Sequence, residues 1–289
     1  MDIIVCIKAV PSSTEVRINP ETNTLMREQM ELIINPFDLY AIEEALRLQE
    51  AHGGTVTVIT MGPPKAEEQL REALSMGCDA AVLLSAREFA GADTWATGYT
   101  LAQAVKKLGR YDLVLCGKQA IDGDTGQVGP GIAQQLGIPQ LTYVFKVREV
   151  ALASSNDLER QPPAGNEIGQ PIAVASTGRI RVERLLEEGR EVVETRLPAL
   201  LTVVKDINKP RSPTPRGLRK ARKAEIPVWG AADLPSVDMA ALGLNGSPTR
   251  VMRIATPDPR QGTVQMVSCA RVEQTATALV DLVMSDGVV

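Results

Sequence analysis

The chain has almost no acid–base apparatus of its own. One residue in 289 is a histidine, His52, placed before Gly53-Gly54 at the end of a helical pattern. A Ser-His-Asp or Cys-His mechanism would have to use it, and its setting suits a surface position at a helix C-terminus. Cysteine is scarce as well: Cys6, Cys78, Cys116 and Cys269 are widely separated and lack CxxC spacing. That reads as reduced core thiols and argues against iron–sulfur or zinc ligation. No apolar run reaches the roughly 18 residues that a membrane span needs, and MDIIVCIKAVP reads as a strand rather than a signal peptide. A cytoplasmic location is the resulting expectation. An excess of positive charge is missing too, and a net charge of −4 gives no electrostatic case for nucleic acid. With so few acid–base groups, any chemistry is expected to be that of a bound cofactor.

What is present is ordinary for a folded domain: 44% hydrophobic and 23% charged residues, in a length that suits one large domain or two modest ones. Ile3 to Val10 is a near-continuous apolar run interrupted by Lys8, as in a strand covered on both faces. A long polar stretch follows, with a hairpin signal around NPETNT, and then Asn35-Pro36-Phe37-Asp38 introduces a helix with Asp38 as its expected N-cap. Thr55 to Met61, Ala80 to Leu84 and Leu113 to Cys116 read as further strands, separated by helical patterns over 64–76 and from Thr94 through Leu108. This alternation predicts a parallel α/β sheet, in which ligands gather at the carboxyl ends of the strands.

The stretch YDLVLCGKQAIDGDTGQVGPGIAQQLGIP, residues 111–139, carries Gly117, Gly123, Gly126, Gly129 and Gly131 between a strand and a helix. Glycines let backbone N–H groups approach an anion, and a following helix adds its unpaired N–H groups and positive dipole end. The spacing matches neither the GxxxxGK phosphate loop nor GxGxxG, and a simple turn closing the strand-to-helix unit accounts for the same glycines. Asp122 and Asp124 would repel a bare phosphate; they fit ribose hydroxyls or a helix cap better.

Beyond Pro139 the pattern becomes strand-like over 142–150, 172–176, 180–185 and 199–204, with a polar insertion at 153–170. The basic, proline-rich DINKPRSPTPRGLRKARK is either a solvated loop or a docking loop for an acidic partner. EQTATALVDLVMSDGVV ends the chain with an amphipathic helix that packs on this chain or on another. The expected division is an α/β domain over 1–205 and a docking loop with a terminal arm over 206–289.

Four stretches carry a resemblance: VERLLEEGREVVETRLPALLT at 182–202, GKQAID at 117–122, INPFD at 34–38 and the terminal GVV. They resemble the beta (small) subunit of electron-transfer flavoproteins, over nearly the whole chain apart from the insertion. The resemblance implies a nucleotide-binding α/β domain of the adenine nucleotide alpha-hydrolase type. It also implies a heterodimer with a larger alpha subunit, which carries an FAD on a mobile domain. The nucleotide site it implies in this chain comprises Cys6, Lys8, Asn35, Pro36, Phe37, Asp38, Met61 and the stretch from Gly117 to Val128, with Gln119, Ala120, Asp122, Gly123, Asp124, Thr125, Gly126 and Gln127 singled out within it. Thr94 and Thr97 join that set by similarity.

In one branch of that family the nucleotide is a structural AMP. In another it is a second FAD, which takes a hydride from NADH and bifurcates the electrons. One electron goes by way of the alpha-subunit FAD to a dehydrogenase or quinone oxidoreductase, and the other to ferredoxin or flavodoxin. DGDTGQVGP at 122–130 and EVRINPETNTLMRE are similar to this bifurcating branch. Docking on an acceptor is implied for Ile207, Arg211 and Pro215. Members that dock on acyl-CoA dehydrogenases commonly have leucine in place of Pro215, and this departure argues against such a partner.

Overall fold

The computed structural model describes residues 1–12, 18–19, 24–25, 31–152, 178–235, 237–252, 265–268 and 270–285. In chain order the strands and helices are β1 (Asp2–Cys6), β2 (Ala9–Pro11), β3 (Ile18–Asn19), β4 (Thr24–Leu25), β5 (Leu32–Ile34), α1 (Pro36–His52), β6 (Thr55–Met61), α2 (Glu67–Met76), β7 (Ala80–Leu84) and α3 (Thr94–Leu108). They continue with β8 (Leu113–Gly117), α4 (Val128–Leu136), β9 (Gln140–Leu152), β10 (Gly178–Leu186), β11 (Gly189–Arg196), β12 (Ala199–Val203), α5 (Pro215–Lys223), β13 (Val228–Trp229) and α6 (Val272–Ser285).

Nine of these strands form one sheet in the order β11-β10-β9-β12-β8-β1-β6-β7-β13. From β9 to β13 every neighbouring pair is parallel, and β10 and β11 extend the sheet antiparallel. Successive side chains of a strand point to opposite faces, so a strand buried on both must be apolar throughout. In β1, Ile3 and Val5 enter the cluster with Ala41, Ile42 and Leu70 from α1 and α2, whereas Ile4 and Cys6 enter the one with Ala102, Val105 and Ile132 from α3 and α4. The same division holds in β8, where Leu113 and Leu115 face one layer and Val114 and Cys116 the other. The result is an α/β/α sandwich.

β1 has β6 on one side and β8 on the other, so the chain winds away in both directions from the seam between β1 and β8. Ligands of such sheets sit at the carboxyl edge of that seam. Glycine brings α4 close to it: a Cβ on Gly129 would lie 2.6 Å from Thr202 Cγ2 on β12.

The expected hairpin around NPETNT is present, with Ile18 opposite Leu25 and Asn19 opposite Thr24. The expected strand at 172–176 and the insertion at 153–170 lie outside the described residues. β11 was not anticipated, because its exposed, charged GREVVETR carries no apolar face. The compact first unit runs from Met1 to Met252, past the expected boundary at 205. Two contacts account for this: β13 adds to the sheet beside β7, and α5 packs on α2. Arg71 of α2 donates to the Ala221 and Ala224 carbonyls at the end of α5, at 2.5 and 3.2 Å. The second unit, Arg253–Val289, contains α6. Among the described residues no helix is long and apolar enough to cross a membrane.

Candidate nucleotide site

Cys6, the last residue of β1, and Cys116, the last but one of β8, lie directly opposite each other and are both buried. Their mutual hydrogen bond, and then burial, push the Cys116 thiol well above its ordinary value. A thiol so held is not a nucleophile near neutral pH, so Cys116 is no reactive centre.

The first turn of α1 joins the two strand ends. The helix starts at Pro36 with Asn35 as its N-cap, which displaces Asp38 from the capping role expected for it. Asp38 is instead buried within the turn, where one carboxylate oxygen accepts the Lys8 N–H at 2.7 Å and the other the Gly117 N–H at 3.1 Å. Burial pushes this carboxyl up to about 7, against the opposing effect of its hydrogen bonds with Asn35, Lys8 and Gly117. Gly117 has no room for a side chain, since a Cβ would lie 2.3 Å from Asp38 Oδ1 and 2.7 Å from Phe37 Cβ.

Asn35, almost fully buried, orders the glycine-rich loop. Its amide donates to the Gln119 carbonyl at 2.8 Å and accepts the Ile121 N–H at 3.2 Å, and its own N–H donates to the Lys8 carbonyl at 2.9 Å. Lys8 Nζ reaches both carboxylate oxygens of Asp122, at 2.6 and 2.8 Å. Gln119 donates to Asp124, which sits at φ +53° with its N–H on the Ala120 carbonyl. Neither aspartate caps α4, as one reading of the sequence allowed. Gln127 holds the N-cap position without a side-chain cap bond, leaving the first N–H groups of α4 to other acceptors.

Thr94 starts α3 behind an Asp93 cap and donates to Gln127 Oε1 at 3.1 Å, so the α3 start meets the end of the loop. Thr97 lies half-buried one turn further on, and its N–H donates to the Asp93 carbonyl. Met61 ends β6 and packs, partly buried, on the α3/α4 side of the sheet. Cys6, Lys8, Asn35–Asp38 and Gly117–Gln127 therefore share one hydrogen-bonded edge.

Lys118 falls within the stretch Gly117 to Val128 expected to line the site, whereas Tyr143 escaped the sequence reading. Lys118 extends its ammonium towards the rings of Phe37 and Tyr143, at 5.9 and 5.2 Å from their centroids. Lys118 lies inside the GKQAID motif; Tyr143 gives no sequence signal, because a register shift between Leu201 and Val203 brings it there.

The loop expected to dock partners is tied into the fold. Arg211 Nε and Nη2 donate to Glu43 at 2.7 and 3.1 Å, and Nη1 donates to Glu50 at 2.6 Å. These bonds hold the guanidinium above its ordinary value and the Glu50 carboxyl below its own. Ile207 packs against the core, while Pro215 is exposed at the first position of α5.

A Cβ on Gly123 would meet nothing within 4 Å, and Gly126 adopts φ +65°, so the loop offers backbone with open space beside it.

Residues 22–168 match the family model described as "Electron transfer flavoprotein domain". The chain is 49% identical to the electron transfer flavoprotein subunit beta of Thermoanaerobacterium thermosaccharolyticum, over 89% of each chain. It is 47% identical to Protein FixA of Azorhizobium caulinodans, over 92% of this chain and 88% of that one. With the Caffeyl-CoA reductase-Etf complex subunit CarD of Acetobacterium woodii it shares 44% identity over 97% of each. On matches of this extent, the chain belongs to the electron transfer flavoprotein family, among its beta subunits.

Proposed function

We propose that this beta subunit works in the cytoplasm as half of a heterodimer with an alpha subunit, and that the edge formed by Lys8, Asn35–Asp38 and Gly117–Val128 holds FAD. The carrying observation is the loop itself, fixed at its root by Asn35 and Asp38 yet open at Gly123. Freedom from side chains at Gly123 and Gly126 favours a dinucleotide that must run along the backbone over a shorter AMP.

When bound, FAD would supply the redox chemistry, accepting hydride from NADH and passing electrons to the alpha-subunit FAD and to ferredoxin or flavodoxin. The chain's own residues have a holding role. Asn35 and Asp38 lock the strand ends, and the Lys8–Asp122 ion pair sets the position of the loop. Thr94 and Gln127 present a hydroxyl and an amide at the start of α4. Docking is assigned to the second unit, whose α6 carries exposed Val272, Leu279, Val280 and Met284, with the alpha subunit as the surface that covers them. The complex named for the Acetobacterium woodii relative supports work within a larger reductase assembly.

The test is the nucleotide released by acid from the purified heterodimer. Two flavins per heterodimer are expected. One flavin with one AMP would leave the chain as a plain electron-carrier subunit with a structural nucleotide.

A further inference from the structure

Between Ile207 and Ala224 the chain carries seven lysines and arginines and no acid. Arg211 is tied to Glu43 and Glu50, but Arg216, Arg219, Lys220, Arg222 and Lys223 fall within the nine residues of α5 and are all exposed. Among the described residues none of these five pairs with a carboxylate.

The packing of α5 turns this charge outward. Gly217 and Ala221, one turn apart, are set against α2: a Cβ on Gly217 would lie 2.1 Å from the Ser75 carbonyl oxygen, and Ala221 is buried. At about 100° per residue, Arg219 stands on the opposite side of the helix, flanked by Arg222 and Lys223. Both ends are fixed, since Thr214 accepts the Gly217 N–H at 2.9 Å and Arg71 donates to the Ala221 and Ala224 carbonyls. The helix dipole favours Lys220, Arg222 and Lys223 in the last turn but opposes Arg216 in the first. Like charges three and four positions apart, Arg216 with Arg219 and Lys220, and Arg219 with Lys223, repel one another. The arrangement therefore costs helix stability unless negative charge from outside offsets it.

The formal net charge of the chain is −4, and −9 with these five cations left out. An extended negative surface would thus attract one face of an otherwise acidic molecule and repel the remainder. Two features favour a lipid surface over an acidic protein. The cations cover the whole outward half of the helix, and no aromatic residue of the kind that anchors protein interfaces lies between Ile207 and Ala224. A cluster of about four to eight Lys or Arg on an amphipathic helix suits anionic headgroups. Leu218, 46% exposed, is the one apolar side chain of α5 open to insertion, so attachment would be electrostatic and reversible.

We propose that α5 is a peripheral membrane-docking helix that holds the heterodimer against anionic phospholipid. Binding through α5 is independent of which nucleotide fills the glycine-rich loop.

Co-sedimentation of the purified heterodimer with vesicles tests this. The parent should bind vesicles of phosphatidylglycerol and phosphatidylcholine in equal parts, ignore pure phosphatidylcholine, and be released at high salt. Arg219→Glu should lower the partition coefficient on the order of 10- to 30-fold, and Arg219→Lys should stay within about twofold of the parent. Lys106→Glu makes the same change in net charge at an exposed position of α3, in the opposite helical layer, and should also stay within about twofold. No binding of the parent to the anionic vesicles at low salt, or equal losses for Arg219→Glu and Lys106→Glu, would overturn the proposal. So would an Arg219→Glu variant that binds vesicles as the parent does while losing affinity for purified flavodoxin, since the basic face would then belong to an acidic protein.

Discussion

Asparagine in place of Asp38 tests how the site is held together. Asp38 offers two acceptor oxygens to two backbone donors, Lys8 N–H at 2.7 Å and Gly117 N–H at 3.1 Å. An amide has one oxygen, so whichever way it turns, its NH2 faces one of those donors. One buried N–H is left without a partner, at a cost of about 1–3 kcal/mol. A second signature comes from ionisation, since burial raises this carboxyl from its ordinary 3.8 to about 7. The folded chain therefore holds the proton more tightly than the unfolded chain. The associated stability is full below about pH 4 and is lost as pH rises through about 7. Its size is bounded at about 4 kcal/mol, from roughly three units at 1.36 kcal/mol each. Denaturant unfolding at fixed protein concentration should show the parent-minus-variant difference shrinking from about pH 4 to about pH 7 and then levelling. A difference that is flat across that range would refute the buried, proton-binding Asp38 described here.

Arg211→Ala should destabilise the chain by about 1–3 kcal/mol, because the Glu43 carboxylate, with a side chain only 6% exposed, loses the nearer of its two guanidinium partners and keeps only Arg47 at 3.5 Å. An unchanged denaturation midpoint would mean that the Arg211 bonds do not hold the loop. Deleting residues 270–289 should weaken association with the alpha subunit, read by gel filtration of the co-expressed pair. An unaltered heterodimer would show that the exposed apolar residues of α6 serve something else.

The sheet and its helices were legible because β1, β7 and β8 are buried on both faces, which calls for near-continuous apolar runs, because β6 is rich in β-branched residues, and because glycine ends each intervening helix. The glycine-rich loop was legible for the same local reason. Long-range partnerships were not. Asp38 stands where an N-cap would suit, yet its partners are backbone N–H groups 30 and 79 positions away. Arg211 reads as a solvated loop residue until α1 brings Glu43 and Glu50 to it. Tyr143 is placed by a register shift, and β11 by pairing with β10 rather than by any apolar pattern of its own.

The claim that the glycine-rich loop holds FAD is tested most directly by Gly123→Asp. A Cβ at this position has no atom within 4 Å beyond its chain neighbours, and Gly123 lacks the positive φ that would strain a substitution at Gly126. The variant therefore adds a carboxylate to the ligand path and disturbs little else. Repulsion from phosphate in a partly dehydrated site would cost on the order of a few kcal/mol, or about two decades in affinity. The purified heterodimer should fold with an unchanged melting profile of its secondary structure, keep the alpha-subunit flavin, and carry about half the parent's flavin. Flavin content equal to the parent's would contradict the assignment of FAD to this loop.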